Sequence, residues 1–306
     1  MKKLAVIILT ATMIFHISAA QRNAQGQTEP FSPENTRLSQ ANYDSLRGVI
    51  PACHFNPSFV KEINVSLEDE NIEILPTENP FVKVDIISKE AETVPFYEVK
   101  GGELIVKSAK RKIEDDTVTV KVYIPKNHRA QGIFIQTKSG NIELHRQKAK
   151  KIDLETDRGT ITLNGIDSKK LYVDSSHGDV KILDLTSEYA ELDVSRHDLF
   201  IDKIKTTELS IDTSSGNVKA SRIQTEKLSI DSTSGDITLQ FASPISKNLS
   251  VYTKKGDIKI FKPRNSWCRY ITSSKYGKFD NDFDSSDSNV KFSVESKNGT
   301  VSIIKK

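Results

Sequence analysis

From Ile142 onward, apolar and polar positions alternate in short strokes that return every nineteen to twenty-two residues. The apolar pairs that precede each turn are Ile152/Leu154, Leu171/Val173, Leu192/Val194, Leu209/Ile211, Leu228/Ile230 and Leu249/Val251. Those that follow are Ile142/Leu144, Ile161/Leu163, Val180/Ile182, Leu199/Ile201, Val218/Ala220, Ile237/Leu239 and Ile258/Ile260. A period of two predicts strands with one buried and one wet face. No segment beyond residue 20 carries a helical period of useful length, so the expected class is all-β.

Turn glycines stand at 140, 159, 178, 216, 235, 256, 277 and 299, with gaps of 19, 19, 38, 19, 21, 21 and 22. The gap of 38 is two periods with one glycine missing. That rung, ELDVSRHDLFI, is expected to close with a turn two residues shorter than VDSSHGDV. One such repeat cannot bury its apolar face alone, whereas equivalent strands stacked ~4.8 Å apart make a continuous core. The prediction is a single-stranded β-helix, or β-solenoid, with rungs of about 19–22 residues. A row of hairpins is the competing arrangement, but tight hairpins favour Asn-Gly or Asp-Gly over the Gly-Asp and Gly-Asn order found here.

The alternation continues more loosely upstream in residues 59–75, 80–87, 96–108 and 116–125. Residues 21–58 are polar and largely unpatterned and read as a flexible leader, which leaves 59–306 for the solenoid. At the start, Lys2 and Lys3 precede the apolar run LAVIILTATMIF, and Ser18 and Ala20 fit an A-x-A-like cleavage site. Residues 1–20 therefore read as a signal peptide cleaved after Ala20. The run is shorter than the ~20 residues of a membrane span. The expected location is exported: periplasmic, at the cell surface or secreted.

Forty-four basic and 41 acidic residues, interspersed and netting +3, exclude the concentrated basic face of a nucleic-acid binder. Export makes pairing of Cys53 and Cys268 the first suspicion. Nine or ten rungs between them would span roughly 45 Å of solenoid axis, so the topology predicts them unpaired.

The phrase TVTVKVYIPKN (117–127), followed by a run of [ST]-x-x-G-[DN]-[VI]-x-[VIL] rungs, resembles the bacterial putative-adhesin domain family of unknown function. It is also similar to the head domain of putative auto-transporter adhesins. The similarity spans about residues 55–306. It implies a β-helix and carries no catalytic residues. This chain departs from the pattern at the rung without glycine and in the aromatic-rich segment 261–283.

Three constellations are candidates for chemistry. Four residues before the turn glycines sit Glu155, Asp174, Asp212 and Asp231, with Ser195 expected to fill the short rung. Stacked outward, these carboxylates repel, and Ca²⁺ is the cation that would relieve them; Lys181, Lys219 and Lys227 are the alternative screen. The aromatic cluster around Trp267, Tyr270 and Tyr276 either stacks on sugars or caps the open end of the coil. His177 and His197, with Asp198 and Arg158, form a weak metal candidate. No nucleophile elbow, zinc-protease motif or phosphate loop is present.

The sequence thus reads as an exported, non-enzymatic scaffold contacting a cell-surface glycan or protein, without a required cofactor. A polysaccharide lyase or hydrolase using Asp174, Asp212 and Asp231 with Arg196 and Arg222 is the alternative. Self-assembly through open strand edges is a third possibility.

Overall fold

A computed structural model describes residues 53–88, 95–108, 118–263, 269–274, 279–281 and 291–305. The expected signal peptide and Cys268 lie outside them. Alternation is realised as a β-solenoid, one 22-stranded sheet wrapped into two stacks of parallel strands. In the first stack, Ile133, Ile152, Leu171, Ala190, Leu209, Leu228 and Leu249 lie directly above one another. In the second, Ile142, Ile161, Val180, Leu199, Val218, Ile237, Ile258 and Val301 do the same. All of these side chains are buried, and together with their period-two neighbours they form one continuous core. Each contributes roughly 1.5–3 kcal/mol of burial, Ala190 less.

Two corners turn each rung. At the glycine corner the chains approach so closely that a Cβ on Gly178 would stand 1.8 Å from the carbonyl oxygen of Gly159. The Asp or Asn after most of these glycines, with Asp198 after His197, builds a side-chain ladder. The Oδ1 atoms of Asn141, Asp179, Asp198, Asn217, Asp236 and Asp257 accept the backbone N–H of Thr160, Asp198, Asn217, Asp236, Asp257 and Thr300, at 2.7–3.1 Å. This is why Asp or Asn follows the glycine in rung after rung: it satisfies a donor that the turn leaves unpaired.

The second corner has no glycine signature. Arg146, Gly165, Asp184, Lys203 and Arg222, nineteen residues apart, all take left-handed backbone with φ of 50–70°. Four of the five bear a Cβ and so carry local strain. Charge pairing across rungs partly offsets it: Lys203 Nζ lies 2.7 Å from Asp184 Oδ2, and Arg222 Nε 2.9 Å from Asp202 Oδ1. Just beyond this corner the buried hydroxyls of Ser187, Thr206 and Thr225 donate to the carbonyls of Tyr189, Glu208 and Lys227 at 2.7–3.0 Å.

One expectation is corrected. The rung without glycine is not shortened. Ala190, not Leu192, stacks on Leu171 and Leu209, so the period stays at nineteen and His197 stands in the glycine column, its carbonyl oxygen 2.1 Å from where a Cβ on Gly216 would be. Val194 pairs in register with Ser175, in a buried column otherwise filled by Thr156, Ser175, Thr213, Ser232 and Thr253. The alternation Leu192/Val194 fits either register; stacking on both neighbours chooses one.

Rung order departs from chain order near residues 62–77 and 291–305. Glu62–Leu67 pairs with both Glu103–Lys107 and Ala130–Thr137, and Asn71–Thr77 with both Thr119–Pro125 and Ile142–His145. The first rung of the chain is thus clamped between two later ones. Likewise Lys291–Asn298 lies between Asn248–Lys255 and Arg269–Ser274, and Val301–Lys305 between Ile258–Lys262 and Phe279–Asn281. Each of these four strands is therefore held by two neighbours. Within the stretch expected as leader, Cys53–Phe55 forms a strand antiparallel to Val82–Ile87.

Candidate functional site

The first strand stack presents its outward side chains in straight columns, because identical register repeats from rung to rung. One column reads Gln136, Glu155, Asp174, Asp193, Asp212, Asp231, Tyr252 and Glu295. The four carboxylates expected from the sequence are therefore brought together. The position assigned to Ser195 is held by Asp193, which makes five consecutive acids, all exposed. At ~4.8 Å apart, neighbouring charges repel by about 1 kcal/mol even in water. Partial burial, then the charges of Asp174, Asp212 and Glu191, hold the Asp193 carboxyl above the usual range. Partial burial, Asp231 and Glu191 do the same for Asp212.

The lysines expected to screen this column do so only in part. Lys181 and Lys219 stand on the opposite stack, paired in register with Thr162, Phe200 and Thr238. Lys227 shares the acidic face, but its ammonium lies 3.5 Å from Glu208. Arg222 is tied to Asp202 at the second corner and so does not join Asp212 and Asp231. His197 Nδ1 sits 3.7 Å from Asp179 Oδ1. No group of three or more His, Cys, Asp or Glu side chains converges on a metal-binding geometry among the described residues.

Beside the acids runs an aromatic strip that sequence reasoning missed. Phe134, Asp153, Tyr172, Glu191, Ser210 and Ser229 form the next outward column, two residues earlier in each rung. The Tyr172 and Tyr189 rings are 5.8 Å apart at a 52° tilt. Lys151 Nζ lies 5.4 Å from the Phe134 centroid and 4.9 Å from that of Tyr172. The Tyr189 hydroxyl donates to Glu191 Oε2 at 2.8 Å, and that bond, with burial, pushes the phenol up to about 12. These rings are half-buried and stand at the edge of the carboxylate column. Their signal was the repeat phase, since Phe134 and Tyr172 are 38 residues apart, but isolated aromatics in an alternating strand look like any other outward residue. Trp267 and Tyr276 lie outside the described residues, and Tyr270 is placed only as part of the strand Arg269–Ser274.

A family model described as Toastrack DUF4097 matches residues 60–304. Among solved structures, a putative adhesin from Bacteroides fragilis is similar at 16% identity and a TM-score of 0.49, covering 69% of this chain and 95% of that one. A putative cell adhesion protein from Clostridium sporogenes is similar at 13% identity and a TM-score of 0.22, covering 83% and 98%. No match is found among curated proteins.

Proposed function

Because the chain belongs to the Toastrack DUF4097 family, a domain family of unknown function, we propose that it is a non-enzymatic contact scaffold, adhesin-like, for a cell-surface glycan or protein. The observation that carries this reading is the unbroken column Glu155–Asp174–Asp193–Asp212–Asp231 beside Tyr172 and Tyr189 on one regular face. Carboxylates accept hydrogen bonds from sugar hydroxyls or cationic groups, and tyrosine faces stack on apolar sugar faces. At a repeat of ~4.8 Å the contacts are individually weak and additive along a polymer. Export follows from the basic–apolar–small start ending at Ala20, which supports cleavage there. Ca²⁺ bridging neighbouring acids is compatible with the column and is not needed by it.

A polymer-cleaving role is less well supported, because the carboxylates lie on an open face and Arg222, one of the two arginines such a role would use, is engaged with Asp202. The test is a panel of immobilised polysaccharides that records retention and released sugar together. Retention lost on combining Asp193→Asn with Asp212→Asn, without sugar release, is expected. Release of reducing sugar that the same substitutions abolish would replace the scaffold with a lyase or hydrolase.

A further inference from the structure

The outward face of the first strand stack is complementary to itself. It crosses nine strands in continuous register, from Glu103–Lys107 at one end to Asn248–Lys255 at the other. Four residues ahead of the acid column runs a leading column that carries the charges Glu103, Lys151, Lys170, Glu208 and Lys227 on five of these strands. On the same five strands the acid column carries Lys107, Glu155, Asp174, Asp212 and Asp231. Four of the five strands pair opposite signs, and on Glu103–Lys107 the order of the signs is reversed in both columns at once. Only Glu208 and Asp212 are alike. The remaining strands set an uncharged residue in at least one column, as in Glu62 with Ser66 and Tyr189 with Asp193.

Within one chain the two columns stand about 13 Å apart, too far to neutralise each other. Glu103, Lys107, Glu155, Lys170, Asp174 and Asp231 make no ion pair among the described residues. A two-fold axis laid along the coil, midway between the columns, exchanges them: each strand then faces the same strand of a second copy. Glu103 meets Lys107 of that copy, Lys151 meets Glu155, Lys170 meets Asp174 and Lys227 meets Asp231, and every such meeting occurs twice. On the axis lies the column between the two, where Ile105, Phe134 and Tyr172 are half-buried and apolar or aromatic. Its acids are already bonded within their own chain, Asp153 to Lys151 at 2.7 Å and Glu191 to the Tyr189 hydroxyl at 2.8 Å. Aromatic residues at the centre and charges at the rim are the ordinary anatomy of an interface. Nine strands at ~4.8 Å spacing, over a strip ~20 Å wide, offer roughly 750 Å² per copy, near the ~800 Å² of a standard interface.

We propose that this face pairs with a second copy of the chain in a two-fold, face-to-face dimer. The inference rests on the reading of the face as a contact surface and names its protein partner. Two copies of one coil share one rise, so opposite charges stay in register along the whole face, a match that an unrelated partner would not supply.

Sedimentation equilibrium of the purified chain, over a range of protein concentrations, reads the mass directly. A dimer is expected at low salt, with its dissociation constant raised at least tenfold at ~1 M salt, where the Debye length is about 3 Å. Lys107→Glu with Lys170→Glu makes both columns acidic on those two strands, and Glu103→Lys with Asp174→Lys makes both basic. Each variant alone is expected to be monomeric, and an equimolar mixture of the two to recover the dimer. Asp212→Asn removes the one like-signed strand and is expected to tighten the dimer. Circular dichroism of every variant is recorded beside its mass. A chain that stays monomeric at low salt would overturn the proposal, as would a dimer in either charge variant alone. A mixture that fails to associate while both variants keep the parent spectrum would overturn it too. Polysaccharide retained by a chain that never dimerises would sink the dimer and leave the scaffold reading standing, whereas a dimer that retains none would support the dimer and remove the glycan from that reading.

Discussion

Replacing Gly235 by alanine tests the idea that close approach at the glycine corner, rather than turn propensity, conserves the rung geometry. Gly235 has φ of +125°, and an added Cβ would lie 2.0 Å from the carbonyl oxygen of Gly216 and 2.7 Å from its carbon. Ordinary contact begins at 3.4 Å, so the two rungs must part by about 1.4 Å at that point. Three hydrogen bonds cross the gap: Gly216 N to Ser234 O at 3.2 Å, Ser234 N to Ser214 O at 3.1 Å, and Asp236 N to Asn217 Oδ1 at 3.0 Å. Stretched by that amount, all three fail. At about 1 kcal/mol each they sum to ~3 kcal/mol, and the unfavourable φ adds ~1 kcal/mol. The expected loss is therefore about 4 kcal/mol, read from urea denaturation midpoints at constant slope. Gly101→Ala is the control. It too has positive φ, +61°, but nothing lies within 4 Å of its added Cβ, so only strain of ~1 kcal/mol is expected. If the two variants lost the same stability, inter-rung contact would not be what excludes a side chain, and the argument for the corner would fail.

Asn217→Ala removes the acceptor for Asp236 N and is expected to lower stability by about 1 kcal/mol, whereas Asn217→Asp retains the acceptor and most of the stability. The Asp193 and Asp212 carboxyls have folded-state pKa values above their unfolded ones. The native state therefore binds protons more readily, and these two groups favour folding below their unfolded pKa and lose that contribution as pH rises through the carboxylate range. Asp193→Asn is accordingly expected to raise the unfolding midpoint at pH 7 and to flatten its decline between acid and neutral pH. Asp202, whose carboxyl is held low chiefly by its hydrogen bonds to Arg222 and Ser221, acts with the opposite sign: its contribution is present above its unfolded pKa and is lost on acidification. Truncation after residue 290 removes an interior rung, not a terminal one. Loss of buried Val294, Val301 and Ile303 alone costs roughly 5–9 kcal/mol, and Arg269–Ser274 loses its pairing neighbour as well, so a collapse visible by circular dichroism is expected.

Much of this protein was legible in the sequence because a solenoid reuses one local rule. Period-two alternation recurring at nineteen residues named the inward columns, such as Ile152, Leu171, Leu209 and Leu228, and their outward neighbours Glu155, Asp174, Asp212 and Asp231. Each rung is stable only against its like, so repetition in the chain translates directly into stacking in space. Where the local signal was degenerate, the tertiary structure decided. Leu192/Val194 and Ala190/Leu192 alternate equally well, and only packing on both neighbouring rungs placed Asp193 in the acid column and His197 in the glycine column. The left-handed corner through Arg146, Gly165, Asp184, Lys203 and Arg222 left a single glycine and so no recurring one to read, because inter-rung pairing and continuous strands enforce a conformation the other four do not prefer. Which charges share a face, and the clamping of the first and last rungs between others, depend on contacts between residues far apart in the chain. Those are settled by which exposed strand edge is open to receive them, a property of the assembled coil and not of any segment within it.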